Sequence, residues 1–264
     1  MKNFIISLFV ASILCSCTSV KNVTYFQDIN EDNKFSSTLS ETKIKVQPND
    51  KLTIIVSGKV PELANVFNVP LYTTRIGNQN NSYTGSQQIT KYTVNENGEI
   101  DFPSIGKINV NGMTRLQIAD KIKSMLIEHD FMDNPIVSVE FENLTFSILG
   151  EVDKPGLYHI TKDQLTLLDA ISMAGDLKIT GKRTDIVVLR KEGDKQLSYK
   201  VNLCSAKELY SSPAFYLKQN DVIYINPNDM RVRQSTINGN NVRSSSFWIS
   251  LTSLLTAVTT LFIK

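Results

Sequence analysis

The sequence predicts an α+β fold in two units, residues 44–141 and 144–227, followed by a single amphipathic helix at the C-terminus. Three observations lead there. Short runs of β-branched and aromatic residues alternate with turn residues, which marks strands. Two Thr-led capping patterns mark helices. A stretch without charge, Gly or Pro runs from Phe247 to Ile263.

In the first unit, Ile44-Lys45-Val46 leads into the turn Gln47-Pro48-Asn49-Asp50, and Leu52–Val56 is a strand. Residues 61–91 are rich in Asn, Gln, Ser, Thr and Gly, and a long loop or mobile insertion is expected. Tyr92–Val94 and Glu99–Phe102 flank Asn95-Glu96-Asn97-Gly98, a hairpin signal. Pro103-Ser104-Ile105-Gly106 is a further turn. Thr114-Arg115-Leu116-Gln117 is a capping box, with Leu116, Ala119, Ile122, Lys123 and Leu126 at helical spacing behind it. Ile136–Phe141 alternates as a strand.

In the second unit, Phe146–Gly150 is a strand running into Glu151–Tyr158. Thr166 caps a helix through Ala174, and Gly175 stops it. Asp185–Arg190 and Gln196–Leu203 are strands around Glu192-Gly193-Asp194, and Val222–Ile225 is the last strand. A sheet embracing one helix is a β-grasp arrangement. Residues 228–245 read as a polar, irregular linker containing Arg231, Arg233 and Arg243.

The N-terminus reads as an address. One basic residue precedes an apolar run from Phe4 to Leu14, the form of a secretory signal peptide and too short to span a bilayer as a helix. Leu14-Cys15-Ser16-Cys17 resembles the bacterial lipobox. That resemblance implies cleavage after residue 16 and acylation of Cys17; an ordinary signal peptide that contains Cys is the plainer reading. Several acyl chains anchor a protein firmly, at about 0.8 kcal/mol per buried CH₂. Thr18 follows Cys17, where an Asp would signal retention at the inner membrane, so the outer membrane is the expected destination. Residues 17–43 read as a tether with a short docking element. Cys204 then has no partner in the mature chain and is expected to be a small buried apolar residue.

The C-terminal stretch, 246–264, is expected to form a transmembrane helix of roughly 26–31 Å. Six of the seventeen residues from Phe247 to Ile263 are Ser or Thr. At about 100° per residue, Ser250, Thr252, Ser253, Thr256, Thr259 and Thr260 all fall in one half of the helical wheel. Phe247, Trp248, Leu251, Leu254, Leu255, Val258, Leu261 and Phe262 fill the other half. Only Ile249, Ala257 and Ile263 intrude among the hydroxyls. An interfacial helix would carry Lys or Arg on its polar face. A ring of identical helices explains the pattern, with apolar halves on lipid and hydroxyl halves lining a water-filled lumen. A plain anchor, or a helix docked on its own domain, are the alternatives.

Composition narrows the rest. Twenty-eight basic residues against 26 acidic ones give a net charge of +2, which argues against nucleic acid as a partner. Three Cys and two His leave little material for a metal site. No nucleophile–base arrangement stands out, and His129, His159, Asp28, Glu96, Asp101, Glu151 and Asp153 read as helix-end, strand or turn residues. No cofactor and no catalysis are expected.

Taken in order, these pieces resemble the outer-membrane polysaccharide export lipoproteins of the Wza type. Ile44–Asp50, Val94–Pro103 with Ile105-Gly106, and the helix after Gly112-Met113-Thr114 match the export domain. Gly150-Glu151-Val152, Pro155–Tyr158 and Leu165–Asp176 match the soluble-ligand-binding β-grasp (SLBB) domain. The resemblance implies a homo-oligomeric ring, typically octameric, that carries capsular or extracellular polysaccharide outward. It also implies docking on an inner-membrane polysaccharide copolymerase, often a tyrosine kinase. Eight helices about 9–10 Å apart would leave a lumen roughly 15 Å across. Asn49 and Asn220 stand where the family usually has Gly, at turns that need left-handed backbone. A periplasmic glycan-binding or adaptor lipoprotein, and an envelope enzyme, are the competing readings.

Overall fold

A computed structural model describes residues 23–29, 43–68, 91–236, 239, 241 and 244–263. The signal peptide, Cys17, and most of the tether and of the 61–91 segment lie outside these residues.

The first unit contains β1 (Lys51–Ser57), α1 (Pro61–Phe67), β2 (Lys91–Thr93), β3 (Glu99–Phe102), β4 (Gly106–Asn109), α2 (Arg115–Glu128) and β5 (Ile136–Phe141). β1 is central in an antiparallel sheet of order β2-β1-β5, and β3 pairs with β4. Alternation along β1 places Leu52, Ile54 and Val56 in the core. They meet Ile118, Ile122 and Leu126 of α2, which is closed by the expected capping box: Gln117 N donates to Thr114 Oγ1 at 3.3 Å, and Thr114 N to Gln117 Oε1 at 2.9 Å.

The second unit contains β6 (Thr145–Gly150), β7 (Gly156–His159), α3 (Leu167–Met173), β8 (Gly181–Glu192), β9 (Lys195–Val201), α4 (Ala206–Ser211) and β10 (Val222–Pro227). Its sheet runs β7-β6-β10-β8-β9, with β10 parallel to β6 and the other pairs antiparallel. Phe146, Ile148, Ile186, Val188 and Ile223 form the sheet side of the core, and Leu167, Ala170 and Ile171 of α3 cover it. Cys204 is buried and free. Burial pushes its thiol above the ordinary range. Two further helices follow, α5 (Asp229–Gln234) and α6 (Ser245–Ile263).

Several expectations need correction. The 61–91 segment is not loop throughout: it opens with α1, whose Ala64 and Phe67 are buried, and Phe67 stacks on Phe102 with ring centroids 6.1 Å apart. The Asn95–Gly98 turn forms, but β2 and β3 do not pair across it. β2 is taken by β1 and β3 by β4, while Asn95 Oδ1 accepts from Asn97 N and Glu99 N. Leu116 is exposed, and Ile118 takes the core position that α2 offers. Residues 228–245 hold a helix, α5, capped by Asn228. Finally, no described helix is long and apolar enough to cross a membrane.

The two units share one local device. Asp50 and Asp221 are both fully buried and each ends a turn. Asp50 Oδ2 accepts from Gln47 N, and Asp221 Oδ2 from Lys218 N, both at 2.8 Å. The residue before each is an Asn with left-handed backbone, Asn49 at φ 72° and Asn220 at φ 63°. The short polar side chain of Asn tolerates that region, so Gly is not required. Each turn delivers the chain into the central strand of its sheet, β1 or β10.

The partners of the two aspartates differ. Arg190 meets Asp221 bidentately, Nε to Oδ1 at 2.9 Å and Nη2 to Oδ2 at 2.7 Å, and its remaining donors reach the carbonyls of Pro213 and Tyr216. Among the described residues, no cation pairs with Asp50. Gln219 Nε2, from the second unit, donates to Asp50 Oδ1 at 2.5 Å. Burial pushes the Asp50 carboxyl above its ordinary range, against the opposing hydrogen bonds from Gln47 and Gln219. Around this contact, Asn143 Oδ1 accepts from Lys51 N, Asn143 Nδ2 donates to Asn49 O, Arg115 pairs with Asp163, and Ile44 joins the core of the second unit.

Arg190→Met strands a buried carboxylate and should destabilise the protein by about 3 kcal/mol or more. Lys91→Met breaks the partly exposed Lys91–Glu142 pair and should change stability by about 1 kcal/mol or less. Chemical denaturation of the detergent-solubilised chain separates the two. Asp50 gives a pH signature. Its folded carboxyl holds its proton more tightly than the unfolded one. Its contribution is therefore fully present below the ordinary value of 3.8 and is lost as pH rises through the raised value. The wild-type minus Asp50→Asn difference in unfolding midpoint should fall as pH rises above the ordinary carboxyl value of 3.8. A difference that rises with pH would contradict this.

Candidate functional site

α6 gathers every residue expected to line a pore or face lipid. Ser244 caps it, its Oγ accepting from Phe247 N at 3.2 Å. The helix begins two residues before Phe247, and Ser245 and Ser246 extend the hydroxyl half by nearly one turn. The threonines bond back to their own helix. Thr252 Oγ1 donates to Trp248 O at 2.8 Å, Thr256 to Thr252 O at 3.0 Å, Thr259 to Leu255 O at 2.9 Å and Thr260 to Thr256 O at 3.0 Å. These bonds use the hydroxyl protons, and the oxygen lone pairs still point outward as acceptors. The opposite half carries exposed Trp248, Leu254, Leu255, Val258 and Leu261, the last at 78%. An apolar face of that size needs a partner other than water. The helix is therefore not packed on its own domain through its apolar half. The side chains of Phe262 and Ile263 lie outside the described residues, as does Cys17.

Residues 23–29 form the expected docking element, and its contacts are specific. Phe26 N donates to Leu203 O at 3.0 Å and Gln27 N to Cys204 O at 2.7 Å. Asp28 is more than a surface carboxylate. It accepts from Ser205 Oγ at 2.8 Å and from Ala206 N at 2.6 Å, at the start of α4. The Ala206 N–H and the Ser205 hydroxyl hold its carboxyl below the usual range. Tyr25 donates to Asp176, and the Arg183 guanidinium lies 5.6 Å from the Tyr25 ring centroid. Burial first, and the Asp176 carboxylate next, raise the Tyr25 phenol well above its ordinary range. A lone sequence gives no sign of these contacts, because Asp28 and Ala206 are 178 residues apart. The helix that Asp28 caps did carry a signal: Ser205-Ala206-Lys207-Glu208 has capping-box spacing.

The other singled-out residues are not brought together. His129 is exposed at the C-cap of α2, and His159 is exposed at the end of β7. Glu151 accepts from Thr180 Oγ1 at 2.5 Å and pairs with Arg231 at 3.1 Å. Those partners, Thr180 foremost, hold its carboxyl below the usual range. Among the described residues, no group of three or more His, Cys, Asp or Glu could hold a metal ion.

Comparison with known proteins bears on this arrangement. The family described as polysaccharide biosynthesis/export protein matches residues 39–142, and the SLBB domain family matches residues 144–225. The protein named EPS I polysaccharide export outer membrane protein EpsA, from Ralstonia solanacearum, is 30% identical over 159 residues, covering 59% of this chain and 40% of that protein. Its namesake from Ralstonia nicotianae is 31% identical over 144 residues, covering 53% of this chain and 36% of its own length. The chain thus spans well under half the length of these curated relatives. The family concerns polysaccharide export and is not an enzyme family. With an export domain followed directly by an SLBB domain, the chain belongs to the polysaccharide export family.

Proposed function

We propose that this chain is the subunit of an outer-membrane channel that passes capsular or extracellular polysaccharide from the periplasm to the cell surface. The observation that carries this reading is α6: an exposed apolar half and a hydroxyl half on one helix. One copy cannot satisfy both halves in a bilayer. A closed ring of copies can, with Leu254, Leu255, Val258 and Leu261 on lipid and Ser250, Thr252, Ser253, Thr256, Thr259 and Thr260 on water. A hydroxyl lumen suits a sugar chain, because each sugar hydroxyl can exchange water for a Ser or Thr oxygen at little net change. The lack of charge along the helix avoids trapping an ionic polymer.

The anchors fit the same arrangement. If Cys17 is acylated, five residues lie between it and Val23, a reach of about 20 Å at most. The docking element then holds the SLBB domain close to the membrane, and α6 leaves from that same domain. The export domain is left to face the periplasm and an inner-membrane partner, a polysaccharide copolymerase or tyrosine kinase. The domains in this reading are 1–16 signal peptide, 17–43 lipidated tether, 44–141 export domain, 144–227 SLBB domain, 228–245 linker and 246–264 barrel helix.

The second reading is a periplasmic glycan-binding or adaptor lipoprotein that forms no pore. It is favoured by one observation, that no described helix is long and apolar enough to cross a membrane. An epitope tag after Lys264, with another in the exposed β8–β9 turn at 192–195, separates the readings on intact cells. The channel reading expects only the terminal tag to be reached by antibody; neither tag reached favours the adaptor. Within the helix, Leu255→Asp should abolish export and membrane insertion, at a cost of about 3 kcal/mol for each copy near the bilayer centre. Thr256→Asp should leave insertion intact. Equal loss from both would sink the assignment of the two faces.

A further inference from the structure

The five-stranded sheet of the second unit buries one face under α3, and its other face carries apolar side chains in contact with water. Register places these in two adjacent rows. Leu157, Val222 and Leu189 belong to one row, across β7, β10 and β8, with a serine of β6 between the first two. Leu149, Tyr224 and Val187 form the next, across β6, β10 and β8. Leu157 is 64% exposed, Leu149 46% and Tyr224 38%. A sheet with one face in water normally alternates apolar inward with polar outward. We infer that this outer face is the docking site of the chain's own α6, through the apolar half of the helix, before the helix enters the bilayer. The inference rests on the channel reading and specifies how its helix is held ahead of assembly.

The occupant is selected by size, reach and charge. Four strands spaced about 4.8 Å apart put the two ends of the patch about 14 Å from each other. From Leu251 to Leu261, α6 rises about 15 Å. α5 is fixed on the second unit by the Arg231–Glu151 pair and by Asn228 N, which donates to Thr180 O at 2.7 Å. Ten residues lie between Gln234 at its end and Ser245, where α6 begins, and extended they reach about 35 Å. β10, which carries Val222 and Tyr224, is the strand that leads into α5, so the helix is tethered beside the patch. Both surfaces are neutral. α6 has no charge from Phe247 to Ile263, and Lys200, opposite Val187 on β9, is paired with Asp185 at 3.7 Å. A partner steered by charge would find nothing to answer it on this face.

The wheel of α6 suits both states. Docked, the helix covers its Leu and Val side chains with the sheet and shows its Ser and Thr half to the periplasm. In a ring, the same two halves meet lipid and lumen. The threonine hydroxyls donate to the preceding turn of their own helix, so that half needs no protein partner in either state. An outer-membrane chain crosses water before it meets its bilayer, and two uncovered apolar faces on one chain in water invite association. Folding one onto the other removes both. Release gives the helix lipid in place of the sheet and costs the sheet its cover. A lone copy is therefore held in the docked state, and the contacts of a closed ring offset the loss.

The test uses the full chain in cells, with an epitope tag after Lys264 and either Leu255→p-benzoylphenylalanine or Thr256→p-benzoylphenylalanine as a photoreactive probe. Light is given to newly made protein and again after a chase, and the joined peptides are identified by mass spectrometry. The probe at 255 should join to residues 145–159, 185–190 or 222–227 of the same chain in newly made protein, at least fivefold more than the probe at 256. After the chase that product should fall at least fivefold as the tag becomes reachable by antibody on intact cells. Leu157→Asp/Tyr224→Asp, at two exposed positions, should lower the early product at least fivefold. The inference is overturned by absence of the early product, by equal product from the two probes, by an unchanged product in the double variant, or by a product with the mass of two chains, which would make a second copy the occupant. A tag that becomes reachable without any early product leaves the channel reading standing without this docking step. A product that persists while the tag is never reached makes α6 a fixed part of its own domain, and removes the release step and the channel reading together.

Discussion

The hydrogen bond from Gln219 to the buried carboxylate of Asp50 is the constraint on which the arrangement of the two units depends. Each sheet is organised about its central strand, and each central strand starts directly after a buried aspartate. In the second unit, Arg190 neutralises that aspartate and also holds the Pro213 and Tyr216 carbonyls, so the Lys218–Asp221 turn has little freedom. Gln219 sits within that rigid turn. Its amide is therefore presented to Asp50 in a fixed place, and the first unit takes its position from the second. A buried carboxylate answered by an amide is less settled than one answered by a guanidinium, since an amide brings no charge. The asymmetry makes the inter-unit contact the softer of the two turns.

What was legible in the sequence is what local chemistry decides. Thr114 and Thr166 each close a reciprocal cap with a residue three positions on, and both helices start where those pairs say. The left-handed turns at Asn49 and Asn220 form because Asn suffices there. What was not legible is what distant residues decide. β2 and β3 flank a good turn but pair elsewhere, because β1 and β4 offer each a full partner. α1 lies in a polar segment and is held by two buried side chains, Ala64 and Phe67, too few to set a helical period. Leu116 and Ile118 compete for one core position on α2, and only the sheet beneath selects Ile118. Of the candidate site, the wheel of α6 was readable in full, whereas the contacts of residues 23–29 were not, because Asp28 and Ala206 are 178 residues apart.

The docking element gives the N-terminus a mechanical role. Backbone bonds to Leu203 and Cys204, the Asp28 cap on α4 and the Tyr25–Asp176 contact involve two separate stretches of the second unit, 203–206 and Asp176. An acyl anchor alone fixes height above a membrane and leaves rotation free. An anchor that continues into a strap of this kind fixes the face that the domain turns toward the bilayer. In a ring, every copy must present the same face at the same height, and a short clasped tether imposes that before the copies meet. In the proposed ring, the terminal helices would then assemble with much of their orientational entropy already removed.

That ordering would matter in a ring because α6 carries hydroxyls along half of its surface. Its threonine hydroxyls satisfy their protons on the preceding turn, which lowers the cost of bringing a single helix to a bilayer. It still carries acceptor lone pairs along half its surface, and these favour water over lipid. Insertion as a monomer is thus opposed, and insertion as a closed set is not. A helix with Lys or Arg on its polar half would bind the interface and stay there. A helix with an apolar second half would insert alone and remain a solitary anchor. Hydroxyls lie between these outcomes, and they suit a helix that enters the bilayer only when its copies arrive together. The hydroxyl face that a lone span would turn uselessly toward lipid is what a shared aqueous lumen requires.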